Sequence, residues 1–142
     1  MFTVAESVTI DRPVDEVFAF FTEGRARWDE SVISEELTSP PPVGVGSTLH
    51  TRMRAVGREF AFDWRVTGYE PGTRMAITST SGVMATSSEL TFADANGATL
   101  VRVGIEAEPT GVMRLAQAMI AGEVRSTLTA SLAKAKRVLE QD

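Results

Sequence analysis

The chain has 142 residues, a formal net charge of −5 spread along its length, and no cysteine. That length suits one domain, expected to span residues 1–142, and the charge leaves no basic cluster to hold nucleic acid or an anionic membrane. Without cysteine there is no disulfide framework, thiolate nucleophile or zinc knuckle. Glu6, Asp11 and Arg12 interrupt the N-terminus and no apolar run reaches spanning length, so the expectation is a cytoplasmic protein with neither signal peptide nor integral membrane segment.

The first element reads as a strand. Val4, Val8 and Ile10 alternate with Ala5, Ser7 and Thr9 at the period of a half-buried strand, and Glu6 shares the parity of the buried set. Pro13 then opens a short helix, with Asp15 and Glu16 at its positive end. Val14, Val17, Phe18 and Phe21 recur at spacings of three and four and give it one apolar face. A second short segment, Gly24 to Glu30, carries Trp28. Pro40-Pro41-Pro42 is a stiff extended connector into Val43-Gly44-Val45-Gly46. With no lysine and no strand-to-helix junction, those glycines read as a turn rather than a phosphate loop.

From there to Pro109 the chain reads as strands punctuated by Val56-Gly57, Pro71-Gly72, Ser81-Gly82 and Asn96-Gly97. Treated as two-residue turns, these set the register. The first places Met53 opposite Phe60, Thr51 opposite Phe62 and Leu49 opposite Trp64, with His50 facing Asp63 and Arg54 facing Glu59 on the other side. The second pairs Gly68 with Met75, Val66 with Ile77 and Trp64 with Ser79. The third pairs Ser79 with Met84, Ile77 with Thr86 and Met75 with Ser88, and sets Arg74 against Glu89. The fourth pairs Phe92 with Val101, Leu90 with Val103 and Ser88 with Ile105. All four turns agree on one buried face, as a continuous antiparallel meander requires, with bulges expected in the longest strand, Arg58 to Tyr69.

Thr110 is placed to cap a helix of about 30 residues, about 45 Å long and enough to cross the sheet. Val124, Leu128, Leu132, Ala135 and Leu139 form one stripe. Val112, Leu115, Ala116 and Met119 lie on a face rotated away from it, with Gly122 at the change. Gly122 is therefore expected to mark a kink or break; the alternative is that the upstream half meets another subunit or forms a mobile lid.

This order of elements resembles the START/Bet v 1-like (SRPBCC, helix-grip) superfamily over essentially the whole chain. The resemblance is carried by Ile10-Asp11-Arg12-Pro13 through Val17-Phe18, by Trp28, by Val43-Gly44-Val45-Gly46 and by Val66 through Pro71. Within it, the chain is most similar to small bacterial proteins of the polyketide cyclase/dehydratase-like branch. The resemblance implies an α+β helix-grip fold: a curved seven-stranded antiparallel sheet wrapped around a long C-terminal helix, with two short helices between strands 1 and 2. It also implies a cavity between sheet and helix for a small hydrophobic molecule, aromatic, polyketide-like or lipid-like.

On that fold the inward-facing residues become a pocket lining. The expected ligand-binding residues are Trp28, Thr51, Met53, Phe62, Trp64, Ile77, Ser79, Thr86, Ser88, Val103, Leu115 and Met119. Mostly apolar walls with a few hydroxyls suit a small-molecule site, although such hydroxyls also satisfy neighbouring backbone carbonyls. Glu6 is the candidate catalytic residue, since a carboxylate in an apolar interior has a raised pKa suited to acid or base work unless it is paired. His50, the only histidine, reads as an outward cross-strand partner of Asp63. No cofactor and no metal are expected, and no Gly-x-Ser-x-Gly elbow supports a hydrolase triad. Three functions remain open: a binding protein for a small hydrophobic ligand, a cyclase, aromatase or dehydratase acting in the same cavity, and a protein-interaction module using the Val112 to Met119 face. The expected assembly is a monomer or homodimer.

Overall fold

The computed structural model describes residues 1–141. The strands are β1 (Phe2–Ile10), β2 (Val32–Leu37), β3 (Thr48–Ala55), β4 (Arg58–Glu70), β5 (Arg74–Ser81), β6 (Ala85–Ala95) and β7 (Ala98–Glu108). They form one antiparallel sheet in the order β1-β7-β6-β5-β4-β3-β2. Between β1 and β2 lie helix α1 (Val14–Thr22) and a short 3-10 turn, Arg25–Arg27. After β7 come a second 3-10 segment, Gly111–Ala116, and the long helix α2 (Gln117–Glu140). This is the helix-grip arrangement.

Local chemistry accounts for these boundaries. Pro13 sits one residue outside α1 rather than inside it, in extended conformation, and its carbonyl accepts the first helical bond from Val17. Val17, Phe18 and Phe21 are the buried face of α1. The hairpins β3–β4 and β6–β7 have the register that their turns predict, from Leu49 opposite Trp64 to Ser88 opposite Ile105. At Asn96-Gly97 both residues take the left-handed backbone that a tight hairpin turn demands.

Two hairpins depart from a two-residue turn. Around Pro71-Gly72, Glu70 pairs with Arg74 across a longer loop, so Gly68 lies opposite Ala76 rather than Met75. A bulge between Val66 and Gly68 then absorbs the extra residue and restores Val66 opposite Ile77 and Trp64 opposite Ser79. At Ser81-Gly82 no such compensation occurs. Met75 faces Leu90 and Ile77 faces Ser88, two residues from the expected partners. The reason is that β5 runs on to Ser81, which pairs with Asp63 of β4 beyond a second bulge, and β6 begins only at Ala85. A shift of two preserves the faces, so the inward set survives. Arg74 still reaches Glu89, diagonally, at 2.6 Å.

The approach to α2 also differs from expectation. Thr110 precedes the 3-10 segment and makes no side-chain capping bond, and α2 runs unbroken through Gly122. The change of face arises at Ala116/Gln117 instead. A 3-10 residue advances the side-chain direction by about 120° against about 100° in an α-helix, so six of them rotate the stripe by about 120°. Met113, Ala116 and Ile120 consequently face the interior. Leu115 and Met119 face outward, 91% and 61% exposed.

Buried apolar residues fall into two groups. The larger joins β1, β6, β7 and α1 to α2 through Val4, Ile10, Phe21, Phe92, Leu128 and Leu132. The smaller, Leu49, Phe62, Trp64, Val66, Met75 and Ile77, belongs to β3, β4 and β5. The sheet curls between them, and the cavity lies in the curl.

Candidate functional site

The cavity has a volume of about 170 Å³ and draws its walls from both groups. From the sheet come Leu49, Met53, Phe60, Phe62, Trp64, Met75, Ile77, Leu90, Val103 and Ile105; from the helical side come Phe21, Trp28, Met113, Ile120, Val124 and Leu128. Val56 of the β3–β4 turn, Val83 of the β5–β6 loop and Glu123 of α2 also line it. The Val56 amide donates to the Glu123 carboxylate at 2.7 Å and ties that hairpin tip to the helix. Gly82, with a left-handed φ of 148°, lies so close to the Phe62 ring that a Cβ there would collide with it.

Eight of the twelve expected ligand-binding residues line this space: Trp28, Met53, Phe62, Trp64, Ile77, Thr86, Ser88 and Val103. Thr51 is fully buried behind the wall, and the Ser79 hydroxyl is taken up by the Thr86 amide at 2.9 Å. Leu115 and Met119 are on the outer surface because of the helical phase slip. Trp28 is held in place by its Nε1–H, which donates to the Phe21 carbonyl at 3.2 Å, and by its ring against Phe21.

Glu6 lies on the expected parity but outside the lining, and its carboxylate is 3.5 Å from Arg125 of α2. A proton-transferring group must reach the reacting atom within hydrogen-bond distance or through one water. From this position Glu6 has no such reach into the cavity. His50 faces outward, with Nδ1 and the Asp63 carboxylate 2.8 Å apart. Among the described residues no group of three or more potential ligands is arranged to hold a metal, and no helix is long and apolar enough to cross a membrane.

Sequence reasoning missed the charged pair that does line the cavity. Arg25 and Glu35 are only 12% and 9% exposed, yet both belong to the wall. Arg25 Nε and Nη2 each approach Glu35 Oε2 to 2.7 Å, the Thr51 hydroxyl donates to the same oxygen at 2.8 Å, and Nη2 also reaches Thr51 at 3.2 Å. Burial pushes the Glu35 carboxyl up, but the Arg25 charge and the hydrogen bonds from Arg25 and Thr51 outweigh it and hold the group below its ordinary value. The guanidinium also lies over the Trp64 ring, 5.2 Å from its centroid, and Trp64 stacks on Phe62.

A bulge brings Glu35 to this place. Val32 pairs with Met53, but Ser34 pairs with Arg52, so Ile33 is the inserted residue and the parity of β2 changes there. Glu35 then falls opposite Thr51, whose other neighbour is Phe62. The readable signal is a conflict: Val32 and Leu37 have opposite parity and both face inward only if the strand contains such a bulge.

Solved structures with this geometry cover nearly the whole chain. The Zhui aromatase/cyclase from a Streptomyces species matches with TM-score 0.77 at 15% identity, covering 98% of this chain and 93% of its own. A START superfamily protein from Mycobacterium smegmatis matches with TM-score 0.76 at 16% identity, covering 96% and 98%. The ginseng major latex-like protein 151 from Panax ginseng matches with TM-score 0.77 at 9% identity, covering 99% and 98%. Identities this low establish the fold alone. No curated protein matches the sequence significantly. The model of one sequence family, described as polyketide cyclase/dehydrase and lipid transport, matches residues 1–140, and the chain belongs to that family.

Proposed function

We propose that this protein is a cytoplasmic binder of a small, largely apolar molecule, held between the curled sheet and α2. The observation that carries this reading is the cavity between two separate core groups, walled by apolar side chains with a few polar ones. Its volume sets a size. About 170 Å³ is close to the ~150 Å³ of an engineered apolar cavity that takes up benzene, so a one-ring ligand fits and a longer chain requires the Val56 tip or the Val83 loop to move. The lack of cysteine fits a reducing compartment.

Native mass spectrometry of protein purified from its own host tests this directly. A stoichiometric small-molecule adduct is expected. Its absence, together with no uptake of any one-ring aromatic probe in vitro, overturns the reading. Glu6 has a structural role here, as the partner of Arg125; Glu6→Gln is expected to leave ligand affinity within about twofold, as suits a surface ion pair outside the wall. For a polyketide cyclase-type activity in the same cavity, the polar groups of the wall include Arg25, Glu35 and the hydroxyls of Thr86 and Ser88.

The exposed side chains of Val112, Leu115 and Met119 favour a second reading, in which this face meets a second copy of the chain. A dimer in sedimentation that Met119→Glu dissociates supports it. A monomer that the substitution leaves unchanged removes it.

A further inference from the structure

We propose that Arg25, braced by Glu35 and Thr51, is the polar anchor of the cavity and selects an uncharged ligand carrying a hydrogen-bond-accepting oxygen, a phenol or ketone rather than a carboxylate or a plain hydrocarbon. This deepens the binding reading and rests on it.

The argument begins with the donors of one side chain. A guanidinium has five N–H groups. Nε and Nη2 are engaged by Glu35 and Thr51. The two N–H groups of Nη1 have no acceptor among the described residues, yet Nη1 is not sealed from solvent-sized space, as Trp64 Nε1 is. The Trp64 Nε1–H is also without a partner among the described residues, but it is sealed off inside the wall, so Nη1 of Arg25 is the donor that a ligand reaches. Arg25 lies over the Trp64 ring, so its guanidinium sits on the β3–β4 side of a largely apolar space. A buried donor without an acceptor is costly, and a ligand oxygen placed there removes that cost.

Several other polar groups of the wall are already occupied locally, and the Ser88 and Thr127 hydroxyls, which have no partner among the described residues, carry no charge. The Ser31 hydroxyl donates to Asp29, that of Thr86 to the Met84 carbonyl and that of Thr22 to the Phe18 carbonyl. Charge then decides between classes of oxygen ligand. Glu35 neutralises Arg25 in place, so an anionic ligand gains no net attraction from the pair, loses its hydration, and meets a second carboxylate. A neutral hydroxyl or carbonyl loses far less on entry and still receives a charge-assisted hydrogen bond.

The test uses three probes of one shape: ethylbenzene, 4-ethylphenol and 4-ethylbenzoate, titrated against the protein near neutral pH by chemical-shift perturbation. Entering an apolar pocket alone favours ethylbenzene, so a preference for the phenol is diagnostic of a waiting donor. We expect 4-ethylphenol to bind about tenfold more tightly than ethylbenzene, with 4-ethylbenzoate the weakest. Replacing both charges together, Arg25→Met with Glu35→Met, avoids stranding either one in the interior and is expected to bring the phenol-to-ethylbenzene ratio to one or below. Should that variant not fold, the guanidinium resonance of Arg25 in the unaltered protein gives the same information, since 4-ethylphenol is expected to shift it and ethylbenzene is not. Ethylbenzene binding as well as the phenol, a phenol preference that survives the double substitution, an unmoved Arg25 resonance, or tighter binding of the benzoate each overturns the anchor while leaving the binding reading intact. Failure of all three probes to bind overturns both.

Discussion

A carboxylate that is 9% exposed and bonded to both Arg25 and Thr51 links the stability of this protein to pH. The folded value of Glu35 lies below its ordinary value near 4.5, so between the two the unfolded chain binds the proton more readily. The stability contributed by Glu35 is thus fully present above that ordinary value and is lost as pH falls through the folded one. Glu35→Gln is expected to flatten the acid limb of a stability–pH curve below about pH 4.5 and, by leaving Arg25 buried and unpaired, to cost about 3 kcal/mol at neutral pH. Denaturant melts across that range measure both effects, and an unaltered acid limb would contradict the assignment. Val56 presents the opposite case. It is β-branched, yet holds a φ of 47°, in a turn where the other tight hairpin uses Asn96. Val56→Asn keeps the amide that bonds Glu123 and is expected to raise stability by about 1 kcal/mol, read as a higher denaturation midpoint.

At the scale of elements, the 3-10 opening of the C-terminal helix decides which apolar residues belong to the core. Leu115→Ser and Met119→Ser are expected to change stability by less than about 0.5 kcal/mol, whereas Ile120→Ser, at a buried position, is expected to cost about 3 kcal/mol or more. Equal losses at all three positions would mean that the segment enters as a regular α-helix after all. The strand registers of β3–β4 and β6–β7 were legible because each depends on a local turn and on a period of two that any slip would invert. The β4–β5 hairpin was legible in part, since the bulge at Val66/Gly68 cancels the longer loop. Neither the start of β6 nor the helical phase could be read locally. One depends on Ser81 pairing with Asp63 and on Gly82 lying against Phe62, and the other on a change of helix type that leaves no mark in an apolar pattern. Arg25 and Glu35 escaped for a related reason. Ten residues apart, they meet only because β2 carries a bulge.

For the whole molecule, the same curl that lets one sheet serve two core groups leaves the cavity between them. A void has a cost: at about 24 cal/mol per Å³, 170 Å³ corresponds to no more than about 4 kcal/mol of forgone packing. A fold without use for that space gains by closing it, so filling it separates stability from function. Ser88 is suited to the purpose, because it lies on the wall between Ile77 of β5 and Ile105 of β7 and its small side chain points at apolar neighbours. Ser88→Leu adds apolar volume where space exists and is expected to raise the stability of the ligand-free protein by about 1 kcal/mol. The same substitution occupies the volume of a one-ring ligand, so uptake of ethylbenzene is expected to fall below detection. Thermal melts with and without the probe read both effects at once. The unaltered protein melts higher in the presence of ethylbenzene, as a ligand bound only to the folded state requires, and Ser88→Leu melts at one higher temperature whether or not the probe is there. If Ser88→Leu instead destabilises the fold and leaves probe binding intact, the space beside Ser88 is not the space a ligand occupies.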